Sequence, residues 1–415
     1  MKLTCSECGA AAADDAMFCA ACGGLLAFET FAAPAGTSLD RDRIADRRRS
    51  SDPRDRSGVW RYRDLLPPIP FDGIVTLREG DVPLYEGPRG AEYAGIRRLA
   101  YLHLGMNPTA SFKDGGMTVA VSRAVATGAR VAICASTGNT SASLAAYAAR
   151  AGIHAVVLVP STGISAAKVA QTLDYGATVV AIDGDFDAAL ATVRALDPQR
   201  VAIVNSVNPY RIEGQKSAAF VMLEQRGWRV PDWVVVPGGN LGNTTALGKG
   251  FREALELGWI DRLPRLAVVQ AAGAAPFVRT IRSGADLVPV VAQTTATAIK
   301  IGAPASWRKA RAELAALGGT ALAVDDAEIG DARAIVGRDG VGCEPASAAT
   351  LAGLKHLIAD GTIAPSDDVV LILTGHVLKD GAYAAHYHES GAPFANRILR
   401  GVDPADVIDR LSAPA

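Results

Sequence analysis

Residues 234–250 read VVVPGGNLGNTTALGKG, and they set a pattern that recurs along most of the chain. A short run of valines leads into a loop of glycine and asparagine, and a helix-forming stretch follows. Similar apolar runs occur in VAICAS, HAVVLVPS and DVVLILTG, with alanine-rich stretches between them. Continuous apolar runs that alternate with helices are typical of parallel strands buried on both faces. The sequence therefore predicts an α/β fold.

Length, composition and charge narrow the class of protein. The chain has 415 residues, of which 49% are hydrophobic, and its net charge is −1. This length allows two or three domains, and a charge near zero gives no overall attraction to nucleic acid or to an anionic membrane. The sequence has no apolar run of the roughly 18 residues that span a membrane, and the N-terminus lacks the apolar core of a signal peptide. We expect a soluble, cytoplasmic protein.

Four cysteines lie within the first 22 residues, in two Cys-x-x-Cys pairs that are each followed by glycine. Four thiolates at this spacing suit tetrahedral zinc in a closed, structural site. The alternative is a small ribbon that has lost its metal. We predict a zinc ribbon over residues 1–27, with these ligands: Cys5, Cys8, Cys19 and Cys22.

The next segment is dominated by charge. Residues 38–57 read SLDRDRIADRRRSSDPRDRS, in which acids and arginines alternate with few apolar residues. This composition indicates a solvated linker, which we place at residues 28–57. A nucleic-acid-binding arm is the sharper interpretation, but the interleaved aspartates argue against it.

Two loops at predicted strand ends could bind anions. In residues 238–243, GGNLGN, the glycines let backbone N–H groups approach a phosphate at a helix N-terminus. Its spacing matches neither a Rossmann fingerprint nor a P-loop, and a plain strand-to-helix turn is the alternative. In ICASTGNTSAS, residues 133–143, hydroxyl and amide groups could bind a carboxylate, or could merely cap the helix.

Two further loops follow predicted strands. NSVNPYRIEGQK, residues 205–216, places Arg211 near amide groups and suits a second anion, although a surface ion pair is the plainer role for an arginine. LILTGHVLKD, residues 371–380, ends a buried strand at Thr374. Its hydroxyl could reach a heterocyclic nitrogen, or could simply satisfy the end of the strand.

Lys113 in NPTASFKD, residues 107–114, gives these loops a common chemistry. A lysine beside an aromatic ring and near a helix N-terminus has a lowered pKa, because burial and local positive potential disfavour its charged form. The neutral amine can form a Schiff base. A nucleophilic lysine, a phosphate loop, a carboxylate loop and a partner for a ring nitrogen are the parts of a pyridoxal-phosphate site for an amino acid.

The motifs, in their order along residues 58–380, resemble the threonine synthase family of fold type II pyridoxal-phosphate enzymes. They include NPTASFKDGGM, ASTGNTSAS, VNSVNPYRIEGQK, VPGGNLGN, IGAPASW, CEPASAAT and LTGHVLKD. The resemblance implies two doubly wound open α/β domains behind the zinc ribbon. The large cofactor-binding domain would comprise residues 58–103 and 226–415, and the small domain residues 104–225. A homodimer is the family expectation.

The resemblance also implies roles for individual residues. Lys113 would bind the cofactor as a Schiff base and then move protons, Asn139 would contact the pyridine hydroxyl, and Thr374 would face the pyridine nitrogen. The cofactor phosphate would be held by Gly239, Asn240, Leu241, Gly242 and Asn243. The substrate carboxylate would meet Ser136, Thr137 and Thr140, and the substrate phosphate would meet Ser136, Asn205, Arg211 and Asn240.

The implied reaction converts O-phospho-L-homoserine and water to L-threonine and phosphate. Cysteate synthase, which takes O-phosphoserine and sulfite, is the alternative within the fold, and a non-catalytic amino-acid-binding homologue is a more distant one. The sequence departs from the family pattern in three places: Gly115 replaces an arginine, Leu104 replaces an acidic residue, and the family's EGNTPL is EGDVPL at residues 79–84. These departures concern the support of the lysine helix.

Overall fold

The computed structural model describes residues 1–32, 39–161, 166–184, 186–197, 200–396 and 398–412. The described strands are β1 (Leu3–Cys5), β2 (Ala11–Ala12), β3 (Leu26–Phe28), β4 (Leu84–Glu86), β5 (Arg98–His103), β6 (Val131–Ala135), β7 (His154–Pro160), β8 (Thr178–Ile182), β9 (Ala202–Ile203), β10 (Trp233–Pro237), β11 (Arg265–Ala271), β12 (Thr320–Val324) and β13 (Asp368–Leu373).

The described helices lie mainly between these strands. They are α1 (Arg41–Asp46), α2 (Pro53–Arg56), α3 (Pro88–Ala94), α4 (Lys113–Ala126), α5 (Asn139–Ala151), α6 (Ala166–Asp174), α7 (Phe186–Arg194), α8 (Pro209–Gln225), α9 (Gly242–Glu256), α10 (Pro276–Ser283), α11 (Trp307–Ala316), α12 (Asp326–Arg338), α13 (Pro345–Ala359), α14 (Gly381–Glu389) and α15 (Pro404–Ser412).

The strands form three sheets. The larger α/β sheet has the order β12-β11-β10-β13-β5-β4 and is parallel except for the edge pair β4–β5. The smaller α/β sheet, β8-β7-β6-β9, is entirely parallel. The N-terminal strands form a small antiparallel sheet, β2-β1-β3. The predicted fold class, two α/β sheets behind an N-terminal ribbon, is confirmed, and the domain boundaries stay a prediction.

The central strand β10 shows why its sequence is continuously apolar. Val234 and Val236 pack into one hydrophobic cluster, whereas Val235 packs into a second cluster on the opposite face of the sheet. All three side chains are fully buried. Because successive strand residues point to opposite faces, a strand covered on both sides needs apolar residues at every position.

The charged segment differs from the expected solvated linker. Its described part, residues 39–57, contains α1 and α2, and Ile44 packs into the main core. Arg48 pairs with Asp81 at 2.8 Å and with Glu224 at 3.5 Å. The sequence interpretation missed this packing because the partner carboxylates lie far along the chain.

Candidate active site

Lys113 is the first residue of α4, and the loop before it is fastened to the end of β13. Phe112 N donates to Thr374 O at 2.8 Å, and Ser111 forms an isolated bridge with Gly375. Ala110 has a left-handed φ of 65°, which turns the chain into this contact. The tertiary fold thus brings the predicted lysine beside the predicted threonine.

The surroundings of Lys113 favour a neutral amine. Burial, assisted by the positive charge of Arg211, lowers the pKa of Lys113 to about 7, and Glu344 opposes this shift. The Lys113 Nζ atom lies 4.0 Å from the centre of the Phe112 ring. A lysine with this pKa is substantially unprotonated near neutral pH and can act as a nucleophile.

Glu344 connects the two residues predicted to hold the pyridine ring. Its carboxylate accepts a hydrogen bond from Asn139 Nδ2 at 2.9 Å and another from Thr374 Oγ1 at 2.8 Å. Thr374 also contacts Ser347 Oγ at 3.0 Å, and burial raises the pKa of Glu344. Sequence reasoning quoted CEPASAAT but assigned no role to Glu344 or Ser347. An acid directly before a helix-starting proline was the available signal.

The predicted carboxylate loop lies between β6 and α5. Ser136 Oγ accepts from Gly138 N at 3.2 Å, and the α5 helix begins at Asn139, so Thr140 lies in its first turn. Ser136, Thr137 and Thr140 are all partly exposed. Their hydroxyls therefore stand at a helix N-terminus where a carboxylate is electrostatically favoured.

Asn205 has a different setting from the one expected. Its amide oxygen accepts from Ala135 N and its amide nitrogen donates to Ala135 O, both at 3.1 Å. Asn205 thus holds the end of β6, directly before Ser136. Its direct contact with a substrate phosphate stays a prediction.

The glycine-rich loop joins β10 to α9. A Cβ atom at Gly239 would lie 3.1 Å from Ala298 O, and Leu241 adopts a left-handed conformation with φ of 64°. Asn240 donates to Ser206 Oγ at 3.1 Å and accepts from Ala305 N at 2.9 Å. These contacts present the α9 N-terminus, at Gly242, as a site for an anion.

The predicted phosphate-binding residues also contain unused donors. Asn243 is the second residue of α9, and both polar atoms of its buried amide lack partners among the described residues. Buried polar groups are nearly always hydrogen-bonded. An anion at the helix N-terminus would satisfy the amide nitrogen, so the loop fits the phosphate of a bound cofactor.

Arg211 is the other buried group with unused donors. It lies in the first turn of α8 with 1% of its surface exposed, and only Nη1 has a described partner, Val204 O at 3.2 Å. Nε and Nη2 are buried without a partner in the described chain. Burial lowers the pKa of Arg211 to about 10. The alternative of a surface ion pair does not hold for the buried Arg211, and its role in binding the substrate phosphate stays a prediction.

Residues at and beside the departures from the family motif make other contacts. Asp114 accepts from Thr109 Oγ1 at 2.5 Å and from Ser143 Oγ at 2.6 Å, which fixes the start of α4. Asp81 in EGDVPL receives Arg61 Nη2 at 3.1 Å, and this arginine is fully buried. Leu104 belongs to the main core. The lysine helix is therefore supported by other contacts.

The four N-terminal cysteines lie together. Their sulfur atoms are all within 4.8 Å of one another, and Cys5–Cys22 and Cys8–Cys19 are 3.5 and 3.6 Å apart. Four thiolates around zinc, with Zn–S bonds of about 2.3 Å, lie about 3.8 Å apart in a regular tetrahedron. The cluster therefore has the shape and the chemistry of a closed metal site.

Comparison with known proteins defines the class. Residues 75–375 match the family model described as pyridoxal-phosphate dependent enzyme. The matched region contains the Lys113 loop, the glycine-rich loop and Thr374. The chain belongs to this family.

Three relatives narrow the class further. The chain is 45% identical to a threonine synthase of Methanosarcina acetivorans, over 91% of this chain and 92% of the relative. It is 44% identical to that of Methanocaldococcus jannaschii, over 92% and 93%. It is 48% identical to that of Synechocystis, over 86% and 90%.

Solved structures agree on the fold. Threonine synthase from Escherichia coli superposes with a TM-score of 0.68 and 21% identity, covering 100% of this chain and 95% of that one. A processed threonine deaminase from Solanum lycopersicum superposes with a TM-score of 0.65 and 18% identity, covering 86% of this chain and 95% of that one.

No helix in the described part of the chain is long and apolar enough to cross a membrane.

Proposed function

We propose that this protein catalyses the threonine synthase reaction, in which O-phospho-L-homoserine and water give L-threonine and phosphate. The relatives' names support this activity. Phosphate leaves from Cγ, which gains a proton, and water supplies the hydroxyl at Cβ. The single observation that carries the assignment is Arg211, a buried guanidinium beside a nucleophilic lysine, with two donors that no described residue uses.

Pyridoxal phosphate, when bound, supplies an electron sink that stabilises negative charge at Cα and Cβ of the substrate. Lys113 would hold the cofactor covalently, Asn139 and Thr374 would orient its ring, and residues Gly239–Asn243 would bind its phosphate. The free amine of Lys113 then removes the Cα proton and moves protons at Cβ. Its pKa near 7 suits both proton uptake and release near neutral pH.

The substrate's two anionic groups would lie in separate places. Its carboxylate would meet Ser136, Thr137 and Thr140 at the start of α5. Its phosphate would meet Arg211, with Ser136, Asn205 and Asn240 nearby. Charged hydrogen bonds to a buried guanidinium are strong, so Arg211 would select a phosphorylated side chain over an unmodified one.

The Cys5–Cys8–Cys19–Cys22 cluster would bind structural zinc, since four sulfur ligands leave no open coordination position. The small and large α/β domains would meet at the site, at the boundaries given by the family resemblance. The active unit would be a homodimer in the cytoplasm. Exposed apolar side chains near the C-terminus, such as Ile398 and Leu411, supply surface that a second copy could cover.

The decisive experiment offers the purified enzyme two substrate sets. One set is O-phosphohomoserine in water, and the other is O-phosphoserine with sulfite. Phosphate release and the amino-acid product are followed in each. We expect threonine from the first and no cysteate from the second. Cysteate without threonine would overturn the proposal in favour of cysteate synthase, and no product from either would favour a non-catalytic homologue.

A further inference from the structure

A cavity lies where the N-terminal ribbon packs on the body of the protein, apart from the candidate active site. It has a volume of about 200 Å³ and is bordered by the chain after β3 and by α8, α9 and α11. The lining residues that matter are Phe28, Thr30, Ile212, Arg252 and Lys309. None of them belongs to the residues assigned to the cofactor or the substrate.

The charge in this cavity is unbalanced. Its lining contains four cationic side chains but only two carboxylates, Glu213 and Glu313. Glu213 pairs with Lys249, and Glu313 forms a two-pronged contact with Arg252. Arg308, another of the four cations, forms ion pairs with two carboxylates outside this lining. The cavity therefore favours an anionic ligand.

Lys309 is the cation that remains. Its Nζ atom makes a long hydrogen bond of 3.4 Å to Leu26 O, and the described chain gives it no ion-pair partner. Burial, followed by the positive charge of Lys249, lowers the pKa of Lys309 to about 8. Lys309 is half-buried, and a partly desolvated ammonium without a counter-ion is stabilised by an anion beside it.

The shape and lining indicate the kind of anion. The cavity is larger than the roughly 150 Å³ that accommodates benzene in an engineered protein, so an amino-acid-sized molecule fits. Phe28, Pro209 and Ile212 give it an apolar wall, while Thr30 supplies a hydroxyl. A small organic acid matches this combination better than a bare inorganic ion, because it can use both the wall and the cations.

We propose that this cavity binds a small organic carboxylate, with the carboxylate group between Lys309 and Arg252. The site is separate from the active site but shares elements with it. Thr245 of the cavity donates to Leu241 O in the glycine-rich loop at 3.0 Å, and Ile212 directly follows Arg211. A ligand here contacts the back of both anion-binding segments, so its binding is coupled to the affinity for substrate.

Protection of Lys309 from acetylation tests the site directly. The cofactor-loaded enzyme is treated briefly with an amine-acetylating reagent, with or without succinate, L-aspartate or L-threonine, and modification is measured by peptide mass spectrometry. At ten times the Kd of a binding probe, Lys309 acetylation falls about tenfold, because only the free fraction reacts. Lys355 on α13, which lies over the Tyr93 ring at 4.2 Å, is the matched control and stays unchanged.

Lys309→Met provides the second arm. This variant keeps the aliphatic packing and removes the charge. For a probe that binds the wild-type enzyme in calorimetry, the heat of binding in this cavity should therefore disappear. Inorganic phosphate at equal ionic strength is the comparison anion. Equal protection by phosphate would overturn the assignment to an organic carboxylate. Failure of all three carboxylates to protect Lys309 would overturn the site, and binding without a change in substrate KM would overturn the coupling.

Discussion

Replacing Arg211 by methionine separates a functional buried charge from a structural one. Hydrogen bonds to charged groups contribute about 1.5–3 kcal/mol each, so two available donors on a substrate phosphate contribute about 3–6 kcal/mol. At about 1.4 kcal/mol per tenfold change, kcat/KM for the phosphorylated substrate falls by about 10²- to 10⁴-fold. The two Arg211 nitrogens without a partner in the described chain set this range.

The stability of the substrate-free protein should change little, in contrast to kcat/KM. Unsatisfied buried polar groups cost about 1–3 kcal/mol each. Arg211→Met removes two such groups, and this gain offsets the removal of the hydrogen bond to Val204 O. The free energy of unfolding, measured by denaturant titration without substrate, should therefore fall by less than about 1 kcal/mol or should rise.

Lys216 is the matched control, because it lies on the same helix and is also fully buried. Its Nζ atom pairs with Glu213 at 2.6 Å and with Glu253 at 2.8 Å. Lys216→Met leaves two carboxylates without this counter-ion and should destabilise the fold by about 3–5 kcal/mol. The reasoning is refuted if Arg211→Met destabilises as much as Lys216→Met, or if it leaves kcat/KM unchanged.

Three shorter predictions concern the lysine and the ribbon. Lys113→Ala should abolish the visible absorbance and borohydride sensitivity of the bound cofactor, and persistence of both would contradict the assignment. The rate at which cofactor-free enzyme captures added pyridoxal phosphate should fall about tenfold per pH unit below about pH 7, because Lys113 is then protonated, and should level off above that pH. A capture rate that keeps rising toward the ordinary lysine pKa of 10.5 would argue against a lowered pKa for Lys113. Cys8→Ser should lower both bound zinc, measured by elemental analysis, and the thermal midpoint, whereas Cys134→Ala should leave zinc content unchanged.

The sequence predicted the strand-end loops well, because each carries a local signal. Glycines at residues 238–242, the hydroxyls after β6 and the apolar setting of Lys113 can all be recognised in short windows. Each residue type also has a direct physical reason for its place. The α/β fold class follows from the same local patterns of apolar runs and helices.

Tertiary partners could not be predicted in the same way. Glu344 lies in an ordinary helix start, and its role appears only when Asn139 and Thr374 are seen on its two oxygens. The arginines of the charged segment resembled a solvated linker because Asp81 and Glu224, which receive Arg48, are distant in sequence. Asn205 was predicted to meet the substrate phosphate, whereas both polar ends of its amide bond to the backbone of Ala135.

The helix α8 crosses its two neighbours with almost no space between the backbones. A Cβ atom at Gly214 would lie 2.0 Å from Gly115 O of α4, and one at Gly250 of α9 would lie 2.6 Å from Lys216 O. The helix α8 thus packs between α4, which begins at Lys113, and α9, which begins at the glycine-rich loop. A side chain at Gly214 would therefore push α4 away from α8, and one at Gly250 would push α9 away, so either substitution would displace a segment of the site without touching it.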